Sequence, residues 1–355
     1  MTAKEAIAVL LAREIKIKEE EILKLLEIPQ QSEMGDFAFP CFKLSATLKK
    51  NPAEIAKMLA SKLKEKTGID MIKANGPYLN FFIDKRAIAR QAININESFG
   101  RDKQDEKILL EHTSINPNAS PHVGRTRNSI IGDSIYRILT FLGNKVERHY
   151  YVNDVSKQIA ILALYFNPKD KFEDLLEKYV KGSKAVEKDV LMEERVFKML
   201  NKFEHKDKET VDLFKKIVEI AIEGQKNILS SIGINFDYFD YESRYIESQK
   251  EILRELENTG KLFKDRENRF VLNQKGTGLE CKMKAPYLVL TRNDGTGLYV
   301  LRDLAYTIDK CKKGRNIIIL GEDQKLYFEQ LKHALILLKK PCPEAVHYSF
   351  VLIKG

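Results

Sequence analysis

The 355 residues predict an α/β protein: a parallel, doubly wound sheet domain interrupted by a helical insertion and preceded by a small α/β domain. Three observations predict it. An apolar run, Ile108-Leu109-Leu110, passes through a Ser/Asn/Pro loop and a short glycine-containing turn into a segment of helical periodicity, and strand and helix patterns go on alternating after it. Between residues 167 and about 232 the composition changes to Lys/Glu-rich amphipathic helix. Ahead of residue 85, capped helices and an alternating strand make a unit with its own apolar face.

In chain order, Thr2-Ala3-Lys4-Glu5 has capping-box spacing, with Ala6, Val9, Leu10 and Ile15 continuing at helical period. Asn51-Pro52-Ala53-Glu54 repeats the device, with Asn as cap and Pro at the first helical position. The stretch between, GDFAFPCFKLSATLKK, reads as partly extended and partly helical, and Tyr78-Leu79-Asn80-Phe81-Phe82-Ile83 as a strand. A helix from Lys85 to about Glu97 and a polar stretch lead to the strand near Ile108, the turn His122-Val123-Gly124-Arg125 and a helix over about 126–142. Gly143-Asn144 turns the chain into a strand at 145–152, and a helix over 155–165 follows. The helices of 167–232, another at 246–259 and short strands near 262–272 are assigned to an insertion at about 167–285. Alternation resumes with a strand at 287–291, the turn Asn293-Asp294-Gly295-Thr296-Gly297, a helix over 302–312, a strand at 316–320 ended by Gly321, and a helix over about 324–338. The predicted domains are therefore 1–100, linker helix included, and 101–355.

Composition narrows the function classes. Forty-three per cent hydrophobic and 31% charged residues describe a folded, water-facing chain. No apolar run reaches the ~20 residues of a membrane span, and MTAKEAIAVLLAREIK lacks a cleavable signal pattern, so no membrane partner and a cytoplasmic location are expected. Cys41, Cys281, Cys311 and Cys342 are scattered without a CxxC pair and read as buried free thiols; no metal site is expected. A net charge of +9 suits a polyanionic partner, although a lysine-rich chain can be basic without one.

The chemistry concentrates in EHTSINPNASPHVGRTRNSIIGD, residues 111–133. A glycine-containing turn at a helix start leaves backbone N–H groups and the positive end of the helix dipole facing whatever lies above the strand, which suits a phosphate. His122 stands at that point and is able to donate to a phosphate oxygen. Taken alone, HVG fits a loop histidine that caps the helix, and Glu111 alone fits a strand-end carboxylate in a structural ion pair.

The longer stretch resembles the ATP-binding signature of class I aminoacyl-tRNA synthetases, and its wording is similar to that of the arginyl-tRNA synthetase family of archaeal type. GDFAFPCFKLSATLKKNPAEIA, GPYLNFFI, FLGNKVERHYYVNDVSKQIA, DGTGLYVLRDLAYTIDK and IIILGEDQKLYFEQL carry the same resemblance through nearly the whole chain. It implies a Rossmann-like catalytic domain and an N-terminal domain that meets tRNA, with Lys43, Lys49, Lys50, Lys62 and Lys64 as its basic residues; a solvated helix face remains the other reading of those lysines. It implies formation of arginyl adenylate from L-arginine and ATP, with Mg²⁺ on the phosphates, and transfer to the 3′ end of tRNA(Arg). By residue, it places Glu111, Asn116, Tyr299, Asp303 and Gln324 around the arginine, with His122 and, from the N-terminal domain, Asn80. His122, Gly124 and Arg125 fall on the ATP side, with His122 and Arg125 as the catalytic pair. A guanidinium offers a rigid fork of donors, which is why two acids are expected.

Two departures from the family pattern stand out. Arg125 occupies the place of the second signature histidine; it keeps a phosphate donor but cannot be a neutral one. A KMSK-type loop would follow SFVLIKG, and a helical anticodon-binding domain would follow that, whereas these 355 residues stop at Gly355. The expectation is an arginine–tRNA ligase core in truncated or split form, with a separate C-terminal half as a possible partner. The alternative is a non-catalytic paralogue that binds arginine, ATP or tRNA.

Overall fold

The computed structural model describes residues 2–63, 68–101 and 104–349, and the chain falls into two units, 1–99 and 100–355. In the first, α1 (Ala3–Glu14) begins on the expected capping box: the Thr2 hydroxyl accepts from the Glu5 N–H at 3.2 Å, and the Glu5 carboxylate accepts from the Thr2 N–H at 2.7 Å. Next come α2 (Glu19–Leu25), β1 (Phe37–Pro40), α3 (Phe42–Leu48) and α4 (Pro52–Lys62), the last capped by Asn51 Oδ1 on the Ala53 N–H. β2 (Ile69–Asn75) and β3 (Tyr78–Ile83) form an antiparallel hairpin, and α5 (Lys85–Ile93) follows. The sheet order is β1-β3-β2, and Ile7, Leu11, Ile22, Phe39, Ile55, Leu79 and Phe81 pack the core over it. Lys43 is ion-paired to Glu21 at 3.6 Å; Lys49, Lys50 and Lys62 are exposed, and Lys64 lies outside the described residues.

The second unit is built on a five-stranded sheet in which every neighbouring pair is parallel. β4 (Lys107–Glu111) leads through the loop to α6 (Val123–Phe141), β5 (Lys145–Val152) and α7 (Lys157–Tyr165). Three helices follow, α8 (Phe172–Val186), α9 (Val190–Glu204) and α10 (Lys208–Ser231); Asp189 and Asp207 cap the second and third and so break the lysine-rich region into a helical cluster. The chain then returns to the sheet as β6 (Tyr238–Tyr241). After α11 (Gln249–Glu257), a side sheet of β7 (Leu262–Lys264), β8 (Phe270–Asn273) and β9 (Tyr287–Val289) is antiparallel. α12 (Tyr299–Cys311), β10 (Arg315–Gly321), α13 (Lys325–Leu337) and β11 (Glu344–Tyr348) complete the described fold.

The order β11-β10-β4-β5-β6 puts a reversal between β4 and β10: the chain moves outward from β4 to β6, then returns to the other side of β4. Such a switch point opens a crevice beyond the carboxyl ends of the strands. Ile108, Leu109 and Leu110 are at most 1% exposed. Burying each contributes about 1.5–3 kcal/mol, enough to fix where the strand ends.

Three sequence expectations change. The stretch 167–285 is not wholly outside the main sheet, because β6 pairs with β5 through Tyr238, Phe239, Asp240 and Tyr241. The strand near 287 belongs to the side sheet, since Tyr287, Leu288 and Val289 pair antiparallel with β8. Cys41 is buried as expected, but Cys281 is exposed and Cys311 and Cys342 are half-buried, all four as free thiols. No described helix is long and apolar enough to cross a membrane. The apolar end Phe350-Val351-Leu352-Ile353 lies outside the described residues.

Candidate active site

At the switch point lies a cavity of about 420 Å³, lined from β4 and its loop by Glu111, Thr113 and Asn116, from α6 by Arg125 and Asn128, from α12 by Asp303, Tyr306 and Lys310, and from the β10–α13 region by Gln324 and Tyr327. Five of the residues singled out from sequence, Glu111, Asn116, Arg125, Asp303 and Gln324, thus meet in one place. Local chemistry explains how.

β4 delivers Glu111 at its carboxyl end, where the residue is 6% exposed and its Oε2 accepts from the Lys310 ammonium. The structural ion pair open to Glu111 on sequence grounds is therefore present, and it lies in the cavity wall. Beyond Glu111 the backbone bends sharply. Thr113 has φ +82° and Ser114 φ +44°, a region costly for a β-branched residue unless its surroundings over-determine it. They do: the Thr113 N–H donates to Asn128 Oδ1 at 2.7 Å, and its hydroxyl donates to Ser129 Oγ at 2.8 Å. Asn128 Nδ2 reaches across to the Ile319 carbonyl at 2.9 Å, tying α6, β4 and β10 together at the mouth of the crevice. His112 lines the cavity at the bend, its Nδ1 2.8 Å from the Thr113 hydroxyl, and burial pushes its imidazole down to about 4, so the ring is neutral. Gly132 makes room for it, because a Cβ there would lie 2.2 Å from His112 Cγ.

The Asn116 loop is held from behind. The Tyr150 hydroxyl accepts from the Ile115 N–H at 3.0 Å, and Gln225 Nε2 on α10 donates to the Asn116 and Ala119 carbonyls at 3.0 and 2.7 Å. α6 begins at Val123, three residues earlier than expected, so His122 is its N-cap, without a side-chain bond to the helix. His122 and Gly124 are exposed beside the positive end of α6 and outside the cavity wall, with Arg125 turned into it. Arg125 Nη1 is buried with no hydrogen-bond partner among the described residues.

On α12 the LRD triplet divides. Arg302 turns inward to the buried Glu242 and donates from Nη1 to the Gly297 carbonyl at 3.1 Å, anchoring the preceding turn. Burial pushes the Glu242 carboxyl up to about 8 while Arg302 opposes it. Asp303 faces the cavity and accepts from the Tyr327 hydroxyl. Burial, with the Glu111 charge adding to it, pushes Asp303 up to about 6. Tyr299, the first residue of α12, is half exposed; it lies outside the cavity wall and against Tyr327, ring centroids 5.4 Å apart. Gln324 donates to Asp323 Oδ2 at 2.9 Å and borders the cavity. Asn80 is in the first unit, on β3, 4% exposed with Oδ1 unpartnered among the described residues.

Sequence reasoning passed over Lys310, Tyr306, Tyr327, Asn128 and Gln225. Lys310 and Tyr306 fall seven and three residues after Asp303, which is the signal that could have found them. Gln225 carried none, since its partners Asn116, Ala119 and Tyr150 are 75 or more residues away.

Residues 90–352 match the family described as tRNA synthetases class I (R), catalytic domain, and residues 1–83 the arginyl tRNA synthetase N-terminal domain. The chain is 38% identical to the arginine–tRNA ligase of Methanocaldococcus jannaschii, covering 98% of this chain and 63% of that protein. It is 35% identical to that of Archaeoglobus fulgidus, covering 94% of this chain and 62% of that one. In structure it resembles Thermus thermophilus arginyl-tRNA synthetase (TM-score 0.70, 22% identity, 98% of this chain and 65% of that). The likeness to the Plasmodium falciparum arginyl-tRNA synthetase is similar (TM-score 0.71, 19% identity, 99% and 66%); at these identities both speak to the fold. The chain spans about three-fifths of the length of the curated relatives it matches. With both of its units matched in order, and the class I sheet and signature in place, this chain belongs to the arginyl-tRNA synthetase family of class I aminoacyl-tRNA synthetases.

Proposed function

We propose that the chain performs arginine–tRNA ligase chemistry: it binds L-arginine and ATP, forms arginyl adenylate, and passes the arginyl group to the 3′ end of tRNA(Arg). The observation that carries the reading is the pair of carboxylates, Glu111 and Asp303, facing one cavity at the switch point beside the start of α6. Two acids suit the donor fork of a guanidinium, and in a water-poor pocket such charge-assisted bonds are strong and directional. Asn116 and Gln324 supply amides for the polar end of the amino acid, and Tyr299 backs Tyr327 from outside the cavity wall.

In the reaction a carboxylate oxygen of arginine attacks the α-phosphorus of ATP, the new C–O–P bond forms as the bond to pyrophosphate breaks, and pyrophosphate leaves with its electron pair. The chain's share is positioning and stabilisation of the growing negative charge. The uncovered N–H groups at the start of α6, the His122 imidazole and the Arg125 guanidinium are the donors for it. Among the described residues no group of three or more His, Cys, Asp or Glu side chains is placed to hold a metal. Mg²⁺ belongs to the substrate as MgATP, held by its phosphates. The exposed Lys49, Lys50 and Lys62, with a net charge of +9, suit tRNA as the partner. The family pattern also has a KMSK-type loop and an anticodon-binding domain, and the cytoplasm is the compartment that holds all three substrates.

The test is ATP–pyrophosphate exchange with arginine and tRNA(Arg), with and without a polypeptide carrying those two parts. Arginine-dependent exchange in the completed mixture is expected. Absence of exchange there, with arginine still bound, would favour the non-catalytic paralogue instead.

A further inference from the structure

α12 brings more than Asp303 to the cavity. Tyr306, Thr307 and Lys310 share its face and line the same space. Lys310 is 3% exposed; its ammonium donates to Glu111 Oε2 and lies over the Tyr306 ring, 4.7 Å from the centroid. Lysine is rarely buried this fully unless paired. The groups around Glu111 are mostly acidic. Asp303 and Tyr306 come from α12 and Asp240 from β6, the last accepting from the Tyr306 hydroxyl at 3.1 Å and contacting His149 Nδ1 of β5 at 2.6 Å. Without an adjacent cation, a buried carboxylate among other carboxylates takes up a proton or turns away.

We propose that Lys310 is a positioning residue of the arginine pocket, which clamps one oxygen of Glu111 in the cavity wall and sets the cavity's charge so that a single guanidinium completes it. Among the residues lining the cavity, Glu111, Asp303 and Asp323 contribute three negative charges and Lys310 and Arg125 two positive. The remaining negative charge matches the arginine side chain, and an amino acid with a neutral side chain leaves it uncompensated. The inference rests on the cavity being the arginine site.

Calorimetric titration of L-arginine at pH 7 tests it, on the wild type and on the Lys310→Met, Lys310→Arg, Glu111→Gln and Glu111→Gln/Lys310→Met proteins, with folding of each checked by thermal melting. Lys310→Met should bind at least tenfold more weakly at pH 7, because the unclamped Glu111 no longer holds its place in the wall. Lys310→Arg should recover most of the affinity. On the Glu111→Gln background, removing Lys310 should cost less than threefold. If Lys310→Met does not fold, the comparison passes to Lys310→Arg and to the double variant against Glu111→Gln, in which no carboxylate is left unpaired. The proposal is overturned if folded Lys310→Met binds within twofold of wild type, if Lys310→Arg is as weak as Lys310→Met, or if the two losses simply add. A wild type that binds no arginine would instead remove the reading of the pocket itself.

Discussion

Asp303→Asn separates the stability of the pocket from its use. The carboxyl of Asp303 sits at about 6 in the folded chain against an ordinary 3.8, with burial as the main cause. The folded state therefore holds that proton more tightly than the unfolded state does. Its contribution to stability is complete at low pH and is lost as pH rises from 3.8 through 6. A gap of about two pH units is worth about 3 kcal/mol, the upper bound on what the ionised Asp303 costs the empty chain at pH 7.5. Asparagine fills the same space, its amide oxygen accepts from Tyr327, and it carries no charge to desolvate. The variant should melt higher than wild type at pH 7.5, by roughly 5–10 °C for a unit of this size, and by far less at pH 4.5. In the same protein arginine affinity should fall at least a hundredfold, because a desolvated guanidinium loses one of its charged partners. Scanning calorimetry at the two pH values and arginine titration at pH 7.5 read both effects. A variant that melts lower than wild type at pH 7.5, shifts equally at both pH values, or keeps its arginine affinity would refute the reasoning.

Three further outcomes follow from the same geometry. Arginine affinity of the wild type should be flat above pH 7 and fall about tenfold between pH 6.5 and pH 5, because binding must then expel the Asp303 proton; titration calorimetry across that range would expose a flat profile. Arg125→Ala should weaken a non-hydrolysable ATP analogue by about tenfold and arginine by less than threefold, since Nη1 is a donor without an acceptor among the described residues; equal losses for both ligands would make Arg125 a packing residue. Asn128→Ala removes the groups that bond the Thr113 N–H and the Ile319 carbonyl. It should cost about 2–4 kcal/mol of stability and weaken arginine binding with it, which denaturant melts and titration would report.

Much of this architecture was legible because it is written locally. The Thr2 and Asn51 caps, the Ile108–Leu110 run and the helical periodicity after Arg125 are short-range patterns with a mechanical reading, and the structure places an element at each. β6 was missed because Tyr238-Phe239-Asp240-Tyr241 is four residues long, half-exposed and polar in part, and only its pairing with β5 makes it a strand. α2 and β2 were passed over for a related reason: the first has three glutamates in its first turn and one buried residue, and the second alternates weakly. In the site, the ends of β4 and α12 were findable from Glu111 and Asp303, and their meeting came from the family resemblance. Lys310 looked like one lysine among sixty basic residues until its helical phase relative to Asp303 was known. The strained Thr113 was invisible in sequence, because its conformation is imposed by Asn128 and Ser129 from a helix turn fifteen residues on.

The central claim is that the switch-point cavity is a receptor for a guanidinium. Parallel calorimetric titrations of L-arginine and L-citrulline at pH 7.5 test it most directly, because the two differ by a charged guanidinium against a neutral urea of nearly the same shape. The account predicts saturable arginine binding and citrulline binding weaker by a hundredfold or more, with the difference collapsing in Asp303→Asn. Equal affinity for the two, or a difference that survives that substitution unchanged, would contradict it.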